Sequence, residues 1–362
     1  MMGRTYRRLG EFDKAQQLLE QALASGRNAF GAEHQSVAQT LDYLGVVLAE
    51  KGDYPGAQRH LEEALGLRRR LLGEHPDVAV TLAELGRVYQ DQGMNQRAEP
   101  LHREALALRQ KLLGDGHRET AVSQSDLASV LRLNGDLGGA EVLLQQCLET
   151  NRKTRGADHP NTATTLHDLA LITASRGDYR SAEAALGRVL AMQRKALGQR
   201  HPIVATTHNS LSRVLREQRR FDEAASVLQE GLDIARSAYG RDHQLVAIYA
   251  INLASIELAR GRPAAAEPLV REGLRIRARH PGVVPARRRT AREDDWSVGA
   301  ARSLLGAVLT AQARYDEAEA ALLDARHELE ASAAPRGQSE EAVERLRDLY
   351  ARWGRPQSSS FR

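Results

Sequence analysis

Cysteine occurs once in the 362 residues, as Cys147, which excludes an intramolecular disulfide and any cysteine-rich zinc site. Aromatic residues make up only 4% and do not interleave with basic ones, so the stacking platforms that hold single-stranded nucleic acid are missing. Neither sign of charge dominates: 51 Lys and Arg stand against 47 Asp and Glu, and the net +4 points only weakly to nucleic acid or an acidic membrane. No run of about 18 apolar residues is present, so no membrane-spanning helix is expected. No basic-then-apolar leader opens the chain, and a soluble, cytoplasmic protein is the expectation. The sequence contains no G-x-x-x-x-G-K-[ST], H-E-x-x-H or G-x-S-x-G. Arg347-Asp348-Leu349 resembles part of a kinase catalytic loop but lacks the His before it and the Asn after it. No catalytic residue, cofactor or metal site is therefore expected.

What the chain holds in quantity is copies of itself. Gly10, Gly52, Gly93, Gly135, Gly177, Arg219, Gly261 and Ala313 mark one recurring turn, at intervals of 42, 41, 42, 42, 42, 42 and 52 residues. Five residues after each anchor stands an alanine: Ala15, Ala57, Ala98, Ala140, Ala182, Ala224, Ala266 and Ala318. Thirteen after, seven of the eight copies have leucine. Twelve after, the residues are mostly small (Ala64, Ala105, Cys147, Gly231 and Gly273 among them), as close approach of two helix backbones requires. Cys147 is thereby expected to be a buried, inert packing residue.

Each copy carries two apolar patterns of helical period. Before the anchor, Leu82, Leu85, Gly86 and Tyr89 share one face; after it, Ala98, Leu101, Ala105, Leu106 and Leu112 do the same. The anchor lies between them, where a helix ends in a left-handed residue. The unit is a helical hairpin and the fold class is all-α.

The pattern L-x-x-L-A/G-x-x-Y/L-x-x-x-G-D-Y-x-x-A-x-x-x-L-x-x-A-L, closed by L-G-x-x-H-P, resembles the tetratricopeptide repeat. The 42-residue length is similar to the kinesin-light-chain variety. The resemblance implies a right-handed superhelical solenoid of antiparallel helix pairs, with the first helix of each pair lining the inner surface. The scarcity of lysine (Lys14, Lys51, Lys111, Lys153 and Lys195 only) reads as GC-rich coding, and a bacterial source is expected.

The array is expected to cover residues 1–278, with its first repeat truncated. Gly3, Arg4, Tyr6 and Gly10 match Gly86, Arg87, Tyr89 and Gly93, so the chain opens about halfway along a helix that later copies have in full. A natural short start, a start at an internal Met and a piece of a longer protein all fit, and truncation in some form is the expectation. Leu18, Leu19 and Leu23 would then have little to cover them, and end-to-end self-association becomes available through the incomplete hairpin. Residues 279–296 read as a basic Pro/Arg loop insertion, 297–353 as the last repeat and a terminal capping helix from roughly 338, and 354–362 as a disordered tail. The run LRDLYARWGRP resembles the ends of arrays attached to bacterial serine/threonine kinases.

Six histidines, His34, His75, His117, His159, His201 and His243, recur at one place in successive loops. One repeat apart, they cannot converge on a metal and are read as loop structure. Arg70, Lys111, Lys153 and Lys195, 18 after their anchors, are read as cations at helix C-termini. Candidate partner residues lie on the first helices, on the side away from the apolar stripe. Ten before the anchor stand His167 and Asn209; nine before, Glu84, Asp126, Asp168 and Asn252; six before, Arg87, Ser129 and Arg213. In the resembling family an Asn pair at the first two positions lines the groove, and here only Asn209 and Asn252 remain of it. The leading expectation is a non-catalytic scaffold that binds a peptide or protein ligand in the concave groove. The second is the regulatory, substrate-recruiting part of a multidomain bacterial signalling enzyme such as a serine/threonine kinase. A third, nucleic-acid binding through Arg287, Arg288, Arg289 and Arg292 in the loop segment 285–292, is disfavoured by the scarcity of aromatics.

Overall fold

The computed structural model describes residues 5–7, 11–279, 293–332, 334 and 336–355, and every regular element among them is a helix. The readings above on the first four residues, on the loop segment 285–292 and on the last seven residues lie outside this set. Two compact units are present, one holding the described residues up to Ala157 and the other those from Asp158 on. In the first unit residues 5–7 are helical and precede α1 (Phe12–Phe30). Three hairpins follow: α2 (Gln35–Lys51) with α3 (Tyr54–Leu72), α4 (Pro76–Asp91) with α5 (Asn95–Leu113), and α6 (Arg118–Leu133) with α7 (Leu137–Arg155). The second unit holds α8 (Pro160–Ser175) with α9 (Tyr179–Leu197), α10 (Pro202–Glu217) with α11 (Phe221–Tyr239), α12 (Gln244–Ala259) with α13 (Pro263–Arg279), and α14 (Glu293–Ala311) with α15 (Tyr315–Ala331). It closes on α16 (Arg336–Trp353). Within each unit every helix packs on its neighbours in chain order. No described helix is long and apolar enough to cross a membrane.

The turn at each anchor explains the hairpin. At Gly52 (φ 88°) the chain turns left-handed, and the Asp53 N–H reaches back to the Leu48 carbonyl at 2.9 Å, closing the end of α2. Asp53 then caps α3 by accepting from the Gly56 N–H at 2.9 Å. Arg219 (φ 59°) and Ala313 (φ 60°) hold the same conformation without being glycine, a strained choice.

The recurring histidines have a use that spacing alone did not show. Each is the N-cap of a first helix, and its Nδ1 accepts the N–H two residues on, at 3.1 Å for His159 and 3.3 Å for His201. A cap of this kind needs the neutral tautomer with its proton on Nε2. His159→Ala should therefore lower stability by about 1 kcal/mol, and His159→Asn, which keeps an acceptor, by much less. Thermal melts followed by circular dichroism separate the two; equal losses would mean that the ring acts only by packing.

All eight repeat alanines are fully buried. At Gly45 a Cβ atom would lie 2.6 Å from Leu61 Cγ, so the two helices of that pair touch backbone to side chain. Cys147 is 1% exposed, and Asn151 donates to its Sγ at 3.4 Å. Two expectations need correcting. Leu19 and Leu23 are covered, at 7% exposure each, within a core that includes Val37, Ala38 and Leu41 of α2. Leu112 is 38% exposed, because the buried stripe of α5 runs through Arg109 and on to the half-buried Leu113.

Arg109 belongs to a buried polar ladder between successive hairpins. Sixteen residues after the anchor, Arg68 donates to Thr81 Oγ1 at 2.5 Å and to the Asp77 carbonyl at 2.9 Å. Arg109 donates to Ser123 Oγ at 2.8 Å, and Gln193 accepts from Thr207 at 2.7 Å. Three of the four cations at 18 past the anchor reach the loop one repeat back, Arg70 to Glu33, Lys111 to Glu74 and Lys195 to Asp158, while Lys153 pairs with Glu149 of its own helix. These exposed pairs contribute little to stability.

Candidate functional site

In the second unit the candidate side chains meet across adjacent first helices. His167 on α8 lies 3.0 Å from Ser210 Oγ on α10 through Nε2, and 3.2 Å from the Asp168 carboxylate through Nδ1. A carboxylate only accepts, so Nδ1 carries a proton, and in the neutral ring Nε2 accepts the serine hydroxyl. One repeat on, Asn252 of α12 donates through Nδ2 to Asn209 Oδ1 of α10 at 2.9 Å. Tyr249 donates to Thr206 at 3.4 Å beside it. The register is regular: the residue ten before one anchor joins the residue nine before the next.

These contacts place both positions where successive first helices meet. Asn209 is 3% exposed, Ser210 1% and His167 9%, because each first helix is covered there by the first helix of the next pair. What stays accessible in this unit is Asp168, Asn252 and Ser255, each half-buried, and the exposed Arg213. Ser210 was absent from the sequence-derived set, since a serine nine before an anchor carries no signal until the pairing register is known.

In the first unit the charges crowd around Arg87. Glu84 and Arg87 form an ion pair one turn apart on α4. Asp91, two residues before the anchor on the same helix, is 6% exposed and its Oδ1 has no hydrogen-bond partner. Burial pushes its carboxyl up to about 7, with the Arg87 charge only partly opposing. Burial raises Glu50 too, opposed by Arg7 at 3.5 Å and by Arg87. His102 of α5, 2.9 Å from Gln90, is held below the usual histidine range by burial, against the pull of Asp126. Asp126 and Ser129 on α6 are half-buried. The candidate set placed Glu84, Arg87, Asp126 and Ser129 on the first helices but did not single out Asp91 or His102. In sequence these look like ordinary surface polars.

Among the described residues no group of three or more His, Cys, Asp or Glu could hold a metal ion. Two cavities lie off the first-helix faces. One, of about 450 Å³, is walled by Arg69, Glu74, Val78, Glu104, Leu108 and Lys111. The other, of about 390 Å³, lies at the hairpin turns around Arg219 and Arg262. The accessible candidate residues on the first helices carry charges of both signs, Asp126 and Asp168 beside Arg87 and Arg213.

The profile of the tetratricopeptide repeat matches residues 1–70, 38–111, 77–153, 119–195, 177–237 and 203–279. No curated protein matches the chain. Solved structures do. BtubC (BKLC) from P. vanneervenii is 24% identical, with TM-score 0.50 over 67% of this chain and 94% of that one. The nearly identical repeats of a putative kinesin light chain from Podosopora anserina are 28% identical, with TM-score 0.46 over 57% of this chain and 98% of that one. A Rap protein complexed with competence and sporulation factor is 14% identical, with TM-score 0.61 over 98% of this chain and 96% of that one.

Proposed function

Because the chain belongs to the tetratricopeptide repeat family, we propose that it is a non-catalytic interaction scaffold whose first-helix faces hold an extended segment of a peptide or protein partner. The observation that carries this reading is the pair of rungs His167–Ser210 and Asn209–Asn252. They lock polar side chains across stacked helices before any ligand arrives. A surface ordered in advance lowers the cost of binding. Asp168 and Arg213 flank the rungs with opposite charges, so the fitting segment presents a basic residue to the first and an acidic residue to the second. The Rap relative was solved with a bound factor, which is a property of that protein.

The test is selection of a random peptide library on the whole chain, with affinities read by fluorescence anisotropy. Selected peptides should bind, and Asp168→Arg combined with Arg213→Glu should weaken them about tenfold with helicity unchanged. Undiminished binding to the double variant would remove the first-helix faces as the site.

A further inference from the structure

The hairpin turns of the second unit carry a second pattern. Arg220 and Arg314 each stand one residue after an anchor, and each is forked between two carboxylates. Arg220 holds Glu223 of its own helix at 2.5 Å and Glu183 of the preceding hairpin at 2.7 Å. Arg314 holds Glu317 at 2.6 Å and Glu267 at 2.8 Å in the same two positions. Gln218 and Gln312, one residue before the anchor, accept from these arginines at 3.5 Å and 3.0 Å.

The repeat between them departs from this pattern. Arg262 occupies the arginine position, but the two carboxylate positions are Ala265 and Ala225. The glutamine is replaced by Arg260, which is already held by Asp222 at 2.7 Å and Glu257 at 2.6 Å. Among the described residues the Arg262 side chain has neither ion pair nor hydrogen bond, and the same is true of Arg219. Both line the cavity of about 390 Å³ with Arg220, Phe221, Asp222, Glu223 and Arg260. Arg219 sits there although its left-handed backbone would favour glycine.

We propose that this cavity is a docking site for an acidic segment of a protein partner, whose Asp or Glu carboxylates take the places that glutamates hold on Arg220 and Arg314. Arginine's planar fork is matched to a carboxylate. The rim acids Asp222 and Glu223, held by Arg260 and Arg220, disfavour a compact dianion such as phosphate more than a singly charged carboxylate. The site is on the hairpin turns, separate from the first-helix faces, and stands or falls independently of them.

The probe is hexaglutamate carrying an uncharged dye, titrated with the whole chain at low ionic strength by fluorescence anisotropy. Binding to the unaltered chain is expected. Arg219→Ala with Arg262→Ala should weaken it about tenfold, whereas Arg188→Ala with Arg200→Ala, an equal loss of charge elsewhere, should leave it within about twofold. Ala265→Glu, which supplies the missing carboxylate from the chain itself, should weaken it comparably while the helical fold persists. Absence of binding, or equal weakening by both arginine pairs, would overturn the proposal. So would displacement of the peptide by inorganic phosphate where chloride at equal ionic strength has no effect, which would make the cavity a phosphate site.

Discussion

Arg68→Ala is expected to destabilise the first unit by about 3 kcal/mol. The Arg68 side chain is 6% exposed, and its guanidinium lies 3.3 Å from the equally buried Asp42 while donating to Thr81 and the Asp77 carbonyl. Burial already pushes the Asp42 carboxyl above its usual range, and the Arg68 charge is the main force holding it down. Removing the arginine leaves a buried acid without its partner. Replacing both groups with apolar residues, as Arg68→Met with Asp42→Leu, should cost little, because the desolvation of both charges is removed together. In the second unit Ala235 and Tyr249 hold the positions of Arg68 and Thr81, at 0% and 2% exposure, so the fold does not require an arginine at that place. Calorimetry on the single and double variants decides the matter. A single variant as stable as the parent would mean that Arg68 contributes no net pairing energy.

Asp91→Asn should have the opposite sign. The folded carboxyl keeps its proton up to about pH 7, whereas the unfolded chain releases it near the ordinary carboxylate value. Between those values the folded state binds the extra proton, so stability falls as pH rises from about 4 to about 7 and is level above. The asparagine variant removes that loss. Its advantage over the parent should grow by roughly 2 to 3 kcal/mol between pH 5 and pH 8, in urea titrations at the two pH values. A difference that does not change with pH would show that Asp91 stays ionised in the fold. Arg87, beside this carboxylate, is one of the residues assigned to partner contact, so a bound acidic group that drew Arg87 away would raise Asp91 further.

Periodicity made the fold legible. An alanine at one fixed distance from every turn residue can only mean a repeated close contact, and all eight are at 0% exposure. Cys147 was legible for the same reason. The candidate site was only partly so. Residue identity places Asp168 and Asn252 on the first helices, but not which residue of the next repeat each meets. The rungs His167–Ser210 and Asn209–Asn252 join residues 43 apart, one repeat length plus one, a register set by how the hairpins stack. Asp91 was hidden because a buried acid and a surface acid are written with the same letter. The histidine caps were hidden in part: His-Pro marks a helix start, while the Nδ1 acceptor geometry exists only in the folded loop. Arg262 carries meaning only after the carboxylate partners of Arg220 and Arg314 are known.

The measurement that bears most directly on partner binding by the first-helix faces is site-specific photo-crosslinking of a selected peptide. Benzoylphenylalanine placed at Ser255, on α12 beside the Asn209–Asn252 rung, should yield a covalent adduct with the peptide. The same group at Ala184, an exposed position of the second helix α9, should yield none. Adducts at Ala184 as abundant as at Ser255, or at neither position with the peptide bound, would contradict the assignment of that face to the partner.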